Sequence, residues 1–109
     1  AFYEVHKELG FGFLEQVYQN ALYKELVKRG FNCELQKPVN VYYKGELVGH
    51  YVADMVVDGT IILELKAVST LRPEHEWQLV NYLKATGLQV GLLLNFGLSA
   101  EVKRKIFTS

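Results

Sequence analysis

Asp54, Glu64 and Lys66 are the residues of this chain whose types and spacing could do chemistry. All three sit inside apolar runs, "LVGHYVADMVVD" (47–58) and "IILELKAV" (61–68), that otherwise read as strands of a core. Side chains on a strand alternate between faces, so Glu64 and Lys66 point the same way as Ile62. Ile61, Leu63, Leu65 and Ala67 point the other way, toward the main core. In the preceding strand Val52, Asp54, Val56 and Asp58 share a face. If the two strands form a hairpin centred on Gly59 with an odd-numbered loop, residue 54 lies opposite residue 64. An even loop would send the two acids to opposite faces, and the odd register is the expectation here.

A buried, isolated charge is very costly, and two neighbouring carboxylates repel. Two acids and a lysine on one face make physical sense when a cation completes the group. A magnesium-like ion is hard, prefers oxygen ligands, keeps several waters and typically takes only one or two protein carboxylates. Asp54 and Glu64 would ligate it directly, and the carbonyl of Leu65 is a third candidate at the same edge. Lys66 would hold an attacking water or stabilise charge developing on a phosphate. The competing reading is a structural ion pair between Lys66 and one acid, worth about 0–1 kcal/mol when exposed.

Two helical stretches can face such a site. After Pro73, His75, Gln78 and Tyr82 recur three and then four residues apart, on one stripe. That stripe is polar and uncharged, suited to hydrogen bonds with a phosphate. Trp77, Val80 and Leu83 are expected to form the packing face. Near the start, Glu15 stands among Phe13, Leu14 and Val17, three residues before Tyr18. Gly12 is costly inside a helix unless the backbone bends there or comes close to something.

The elements that position these residues follow from periodicity and breakers. Residues 2–9 and 12–29 are expected as helices, with Gly10 and Gly12 marking a break and Gly30 a stop. Residues 32–36 and 39–43 read as extended, interrupted at Pro38. "KGE" (44–46) and "DGT" (58–60) are turns. A helix runs from Pro73 to about Ala85 and ends at Gly87. "VGLLLNF" (90–96) is a buried strand, and Ser99 would cap a last helix over 100–107.

The chain's 109 residues suffice for one α/β domain, residues 1–109, with no linker, internal repeat or low-complexity segment. Half the residues are hydrophobic, which supports a core and excludes a disordered chain. Twelve basic residues offset twelve acidic ones, so a broad electrostatic footprint on nucleic acid is not expected. Clusters at Lys24–Arg29 and Lys103–Lys105 still allow a local basic rim. Cys33 is alone, so no disulfide can form within the chain and no thiolate metal site can be built. A single cysteine fits a reducing compartment, and a cytoplasmic location without membrane association is expected. The chain opens at Ala1 in helical pattern without a methionine, as a trimmed start would leave it.

These residues together resemble a known family. Gly12, Glu15 and Tyr18 stand at the spacing that names the GxxExxY proteins. Asp54, followed ten residues later by Glu64-Leu65-Lys66, looks like the signature of the PD-(D/E)XK nuclease superfamily, to which that family is assigned. Gln78 and Tyr82 match its Q-xxx-Y helix motif, and "LLNFG" (93–97) looks like the family's usual ending. The resemblance spans nearly the whole chain in the same motif order. It departs at Ala53, where the superfamily label has proline.

The resemblance implies a central mixed four-stranded β-sheet flanked by helices, the αβββαβ restriction-endonuclease-like core. It also implies a nuclease dependent on Mg²⁺, or Mn²⁺, that hydrolyses phosphodiester bonds, with DNA expected ahead of RNA. Asp54 and Glu64 become metal ligands with Leu65 beside them, and Lys66 the catalytic lysine. Glu15 becomes an additional acidic ligand. Gln78 and Tyr82 become supporting residues, and His75 extends their stripe toward substrate. The partner is nucleic acid, with a homodimer or a partner protein supplying further surface for so small a domain. The alternative is a non-catalytic nucleic-acid-binding or regulatory module on the same scaffold, which the filled acid and lysine positions disfavour.

Overall fold

Phe2, Val5 and Leu9 recur at helical spacing, and the first helix, α1 (Phe2–Leu9), buries Phe2 and Val5 against the sheet. The computed structural model describes residues 1–108. Gly10 ends α1 with a φ of 72°. The second helix, α2 (Glu15–Lys28), starts three residues later than periodicity alone suggests. Gly12 has a φ of 118°, which no helix accommodates, so residues 10–14 form a loop. Tyr18 and Leu22, one turn apart, carry the buried face of α2, with Gln19 beside them.

Strands β1 (Cys33–Tyr43) and β2 (Glu46–Val57) form a long hairpin, closed by Lys44 and Gly45 at φ 49° and 82°. Two successive left-handed residues match the twist of the flanking strands. Pro38 does not interrupt β1, because β1 is an edge strand and an edge tolerates a missing donor. A three-residue turn leads to β3 (Ile61–Lys66), with Val57 paired to Ile61, Val56 to Ile62 and Met55 to Leu63. The loop is odd-numbered, as the facing of Asp54 and Glu64 requires.

Helix α3 (Pro73–Thr86) crosses from β3 to its parallel neighbour β4 (Val90–Phe96). Pro73 opens it, and Gly87 closes it in the left-handed conformation at φ 78°. Its packing face is Leu79 and Leu83, both fully buried. The expected place for Trp77 in that face needs correcting: Trp77 is 65% exposed. Residues two positions apart on a helix lie about 200° apart around its axis, so packing at Leu79 turns Trp77 outward.

The last element is also a correction. Residues 100–107 are not a helix: Ala100–Ile106 form β5, antiparallel to β4 from Phe96↔Ala100 to Val90↔Ile106. The sheet therefore has five strands in the order β1-β2-β3-β4-β5 rather than four. Lys103, Arg104 and Lys105 have good helix propensity, but an apolar β4 with a free edge would leave buried backbone groups unpaired. Pairing satisfies them, and the charges then line an outer edge, where they discourage further strand addition. The sheet separates two cores. Tyr18, Leu22, Met55, Leu63, Leu65 and Phe96 meet α1 and α2 on one face. Ile62, Val56, Leu93, Leu79 and Leu83 meet α3 on the other.

Candidate active site

The site forms where β2 and β3 part. Strict alternation would place residues 51, 53, 55 and 57 on one face. Instead Met55 and Val57 pack toward α1 and α2, whereas Ala53 and Tyr51 pack with Val56 toward α3. The alternation resets at Asp54. Opposite it in β1, Gln36 has a φ of 50°, left-handed for a non-glycine residue in a strand. Backbone pairing of β2 with β3 ends at Met55↔Leu63. The outer half of the hairpin turns over α3, and Lys37, Pro38 and Val39 share a hollow with Thr86 and Leu88. The side chain of Gln36 donates to the buried Gln19 Oε1 at 2.8 Å, which ties the bend to α2.

Asp54 occupies this opening. Its Oδ2 accepts a hydrogen bond from the Leu65 backbone N–H at 2.8 Å, replacing the strand partner that β2 no longer supplies. Glu64 lies beside it, largely buried, with Oε1 buried and without a hydrogen-bond partner. Burial foremost, then the Asp54 charge, push the Glu64 carboxyl up to about 8. Lys66 pulls weakly the other way. Asp54 carries only acceptors when ionised and gives Oε1 no donor unless one of the two acids holds a proton. Lys66 is half-buried and, among the described residues, forms no ion pair with either acid. The structural ion-pair reading therefore lacks its contact.

Helix α3 contributes Tyr82. Its ring stacks on that of Tyr51, with centroids 3.5 Å apart and planes 9° from parallel. Burial raises both phenols, and the Glu64 charge raises them further, so the two rings lie near the carboxylate. Asp54 also acts on Tyr82. Spacing alone does not find Tyr51, because unbroken alternation from Asp54 assigns it to the opposite face. A tyrosine three residues before the acid was the only signal.

The other candidates stand apart. His75 Nδ1 accepts the Arg72 backbone N–H at 3.1 Å, at the entrance of α3. Gln78 is exposed on the same stripe. Neither bonds to the carboxylates among the described residues. Glu15 is exposed at the first turn of α2. Among the described residues no group of three or more His, Cys, Asp or Glu side chains gathers as a ligand set, so Asp54 and Glu64 stand as two. Tyr18, the third member of the Gly12–Glu15–Tyr18 pattern, is fully buried and stacks on Phe96 at 4.4 Å. Its hydroxyl donates to the Gly10 carbonyl at 2.5 Å and accepts the Phe13 N–H at 3.2 Å.

The "LLNFG" segment holds the exit of β3. Asn95, fully buried, accepts the Val68 N–H at 3.0 Å and donates to the Val68 carbonyl at 2.8 Å and to Glu101 at 3.0 Å. A Cβ on Gly97 would stand 2.3 Å from the Val68 carbonyl oxygen, so only glycine fits. These contacts fix the chain just beyond Lys66.

The acids fit a hard dication. Oε1 is an unpartnered carboxyl oxygen beside a second acid and the Leu65 backbone, and the Lys66 ammonium acts on it from nearby. Oxygen donors of that kind suit magnesium or manganese, and one or two carboxylates are the usual protein share for magnesium.

A family model described as the PD-(D/E)XK nuclease superfamily matches residues 1–106. No curated protein matches the sequence. Among solved structures, the protein titled SSO0001 superposes with a TM-score of 0.67 at 20% identity, covering 86% of this chain and 51% of its own. An alkaline exonuclease (LHK-Exo) from Laribacter hongkongensis superposes with a TM-score of 0.60 at 12% identity, covering 85% of this chain and 56% of its own. At those identities the likeness is one of fold, and the chain spans little more than half of either neighbour.

Proposed function

We propose that this chain, which belongs to the PD-(D/E)XK nuclease superfamily, is a Mg²⁺- or Mn²⁺-dependent nuclease of the GxxExxY type that hydrolyses phosphodiester bonds, with DNA as its substrate ahead of RNA. The observation that carries the reading is the buried, unpartnered Glu64 Oε1 beside Asp54, with Lys66 left without an ion pair. In the absence of a ligand such a carboxylate is a cost, and a site that retains the cost is organised for something that removes it.

Asp54 and Glu64, with the Leu65 carbonyl, would hold the ion. When bound, it supplies Lewis-acid charge neutralisation at the phosphate and a more acidic water. The chain's own residues do the rest. Asp54 is oriented by the Leu65 N–H, so its Oδ1 remains available. Lys66 offers a positive charge to the oxygen that becomes anionic as the phosphodiester breaks. The stacked rings of Tyr82 and Tyr51 would limit water on the α3 side. Gln78 and His75, on one stripe of α3, would bind substrate. Glu15, exposed at the first turn of α2, would be the additional acid that the family resemblance implies. A second copy or partner protein supplies additional grip.

The test is a nuclease assay offering single- and double-stranded DNA and RNA with Mg²⁺ or Mn²⁺. Wild-type protein cleaves, and Glu64→Gln and Lys66→Ala abolish cleavage while remaining folded. Cleavage that survives both substitutions, or none by wild type on any substrate, removes the proposal.

A further inference from the structure

The loop before α2 carries apolar side chains in an unusual way. Phe11 and Phe13 are each 47% exposed and Leu14 is 80% exposed. A loose loop would fold such side chains down onto apolar surface. Here the backbone is held on both sides by one buried hydroxyl: Tyr18 donates to the Gly10 carbonyl and accepts from the Phe13 N–H. Gly10 and Gly12 supply the left-handed angles, 72° and 118°, that the path requires. Phe13 rests edge-on against Tyr18, centroids 6.0 Å apart. The fold thus leaves two phenylalanines half-exposed on a held backbone.

The loop's position gives the exposure a meaning. The ring of Tyr18 stacks on Phe96, the residue after Asn95, and Asn95 pairs with Lys66. The aromatic loop therefore stands at the end of the sheet where Lys66 lies, on the α1 and α2 side, and it leads directly into Glu15. The chain's net charge is zero, so little electrostatic grip on a duplex backbone is available. Base stacking on aromatic rings is the alternative source of affinity, and it requires bases that are not already paired.

We infer that Phe11 and Phe13 form a stacking platform for unpaired bases at the Lys66 end of the sheet, making single-stranded or frayed nucleic acid the preferred substrate. This rests on the nuclease reading above and deepens it. Paired bases present only edges to the loop, so a continuous duplex gains nothing from the two rings.

Fluorescence anisotropy in EDTA, with the wild-type chain, tests it on a labelled oligothymidine, an abasic strand of equal length and a duplex of equal length. Oligothymidine binds tightest, with a shallow salt dependence. Phe11→Ala and Phe13→Ala each weaken it by about fivefold or more, and Phe11→Leu, which keeps the apolarity but not the ring, also weakens it. Circular dichroism checks the fold. Should Phe13→Ala perturb Tyr18 and unfold the chain, the two Phe11 variants decide the matter. An abasic strand that binds equally well, a duplex that binds tighter, or no binding to any strand overturns the inference. Glu64-dependent cleavage that ignores pairing overturns it and leaves the nuclease intact. Base-dependent binding without cleavage in Mg²⁺ or Mn²⁺ supports the platform and removes the nuclease.

Discussion

Replacing Glu64 by glutamine should make the metal-free protein more stable, and more so as pH rises. The folded state holds this carboxyl at about 8 against an ordinary value of 4.5. Between those values the folded chain keeps a proton that the unfolded chain has released, so stability falls with rising pH and levels off above the folded value. Each unit is about 1.4 kcal/mol, which puts the cost of Glu64 at roughly 3 kcal/mol near pH 7 and roughly 5 kcal/mol near pH 9. Below pH 4.5 the cost vanishes. Against a typical domain stability of about 5–15 kcal/mol this is a large fraction. Glutamine cannot ionise, and its amide can donate to Asp54, so that part of the slope disappears. Urea denaturation in EDTA across that pH range measures it. The wild-type midpoint should fall steeply on the alkaline side while the Glu64→Gln midpoint stays nearly level. Added Mg²⁺ or Mn²⁺ should restore the alkaline wild type, because an ion that binds only the folded, ionised site adds RT ln(1 + [L]/Kd), and it should leave the variant unmoved. Parallel pH profiles for the two proteins would show that Glu64 is neither desolvated nor repelled, and the metal argument would lose its basis.

Asn95→Ala removes three hydrogen bonds at the exit of β3 and strands both polar groups of Val68. A loss of about 2–4 kcal/mol by chemical denaturation is expected, and less than about 1 kcal/mol would mean that the exit does not depend on Asn95. Gly97→Ala should cost more than Gly91→Ala. The new methyl would meet the Val68 carbonyl at 2.3 Å in the first case, and the end of the Leu79 side chain at 2.7 Å, which can rotate, in the second. The reverse order in thermal melts would contradict the packing. Tyr18→Phe keeps the stack on Phe96 but frees the Gly10 carbonyl and the Phe13 N–H. Hydrogen exchange at Phe13 should accelerate while global stability drops by about 1–2 kcal/mol, and unchanged exchange would show that the hydroxyl does not hold the loop.

Much of this architecture is legible in the sequence because local rules and tertiary packing agree. Pro73 and Gly87 bound α3, and the three-residue Asp58–Thr60 turn sets the register of Asp54. The misreadings share one cause, a non-local demand overriding a local preference. Lys103, Arg104 and Lys105 favour a helix taken alone, yet the open edge of β4 makes them a strand. Pro38 looks like a break until β1 is known to be an edge. Trp77 is the largest apolar residue of α3, yet the helix docks through Leu79, where Gly91 leaves room. Among the site residues, Asp54, Glu64 and Lys66 stand out because charges inside apolar strands are conspicuous. Tyr51 does not, since its place depends on a bend that no spacing rule anticipates.

That bend ties fold to chemistry. A regular ladder would bring Asp54 level with Glu64 but occupy the Leu65 N–H with a strand partner. A wide separation of β2 from β3 would free the backbone and lose the register. Breaking alternation at Asp54, with Gln36 in a left-handed conformation opposite, keeps the register through Met55↔Leu63 and ends the pairing of β2 with β3 there. The carboxylate of Asp54 fills the vacated hydrogen bond, and the turned hairpin delivers Tyr51 onto Tyr82, near Glu64. The left-handed Gln36, the interrupted ladder and the unpartnered acid each oppose stability, and all three fall around one rung of the sheet. Violations of local rules that accumulate at random would be scattered through a chain, whereas these coincide with the residues fit to hold a dication.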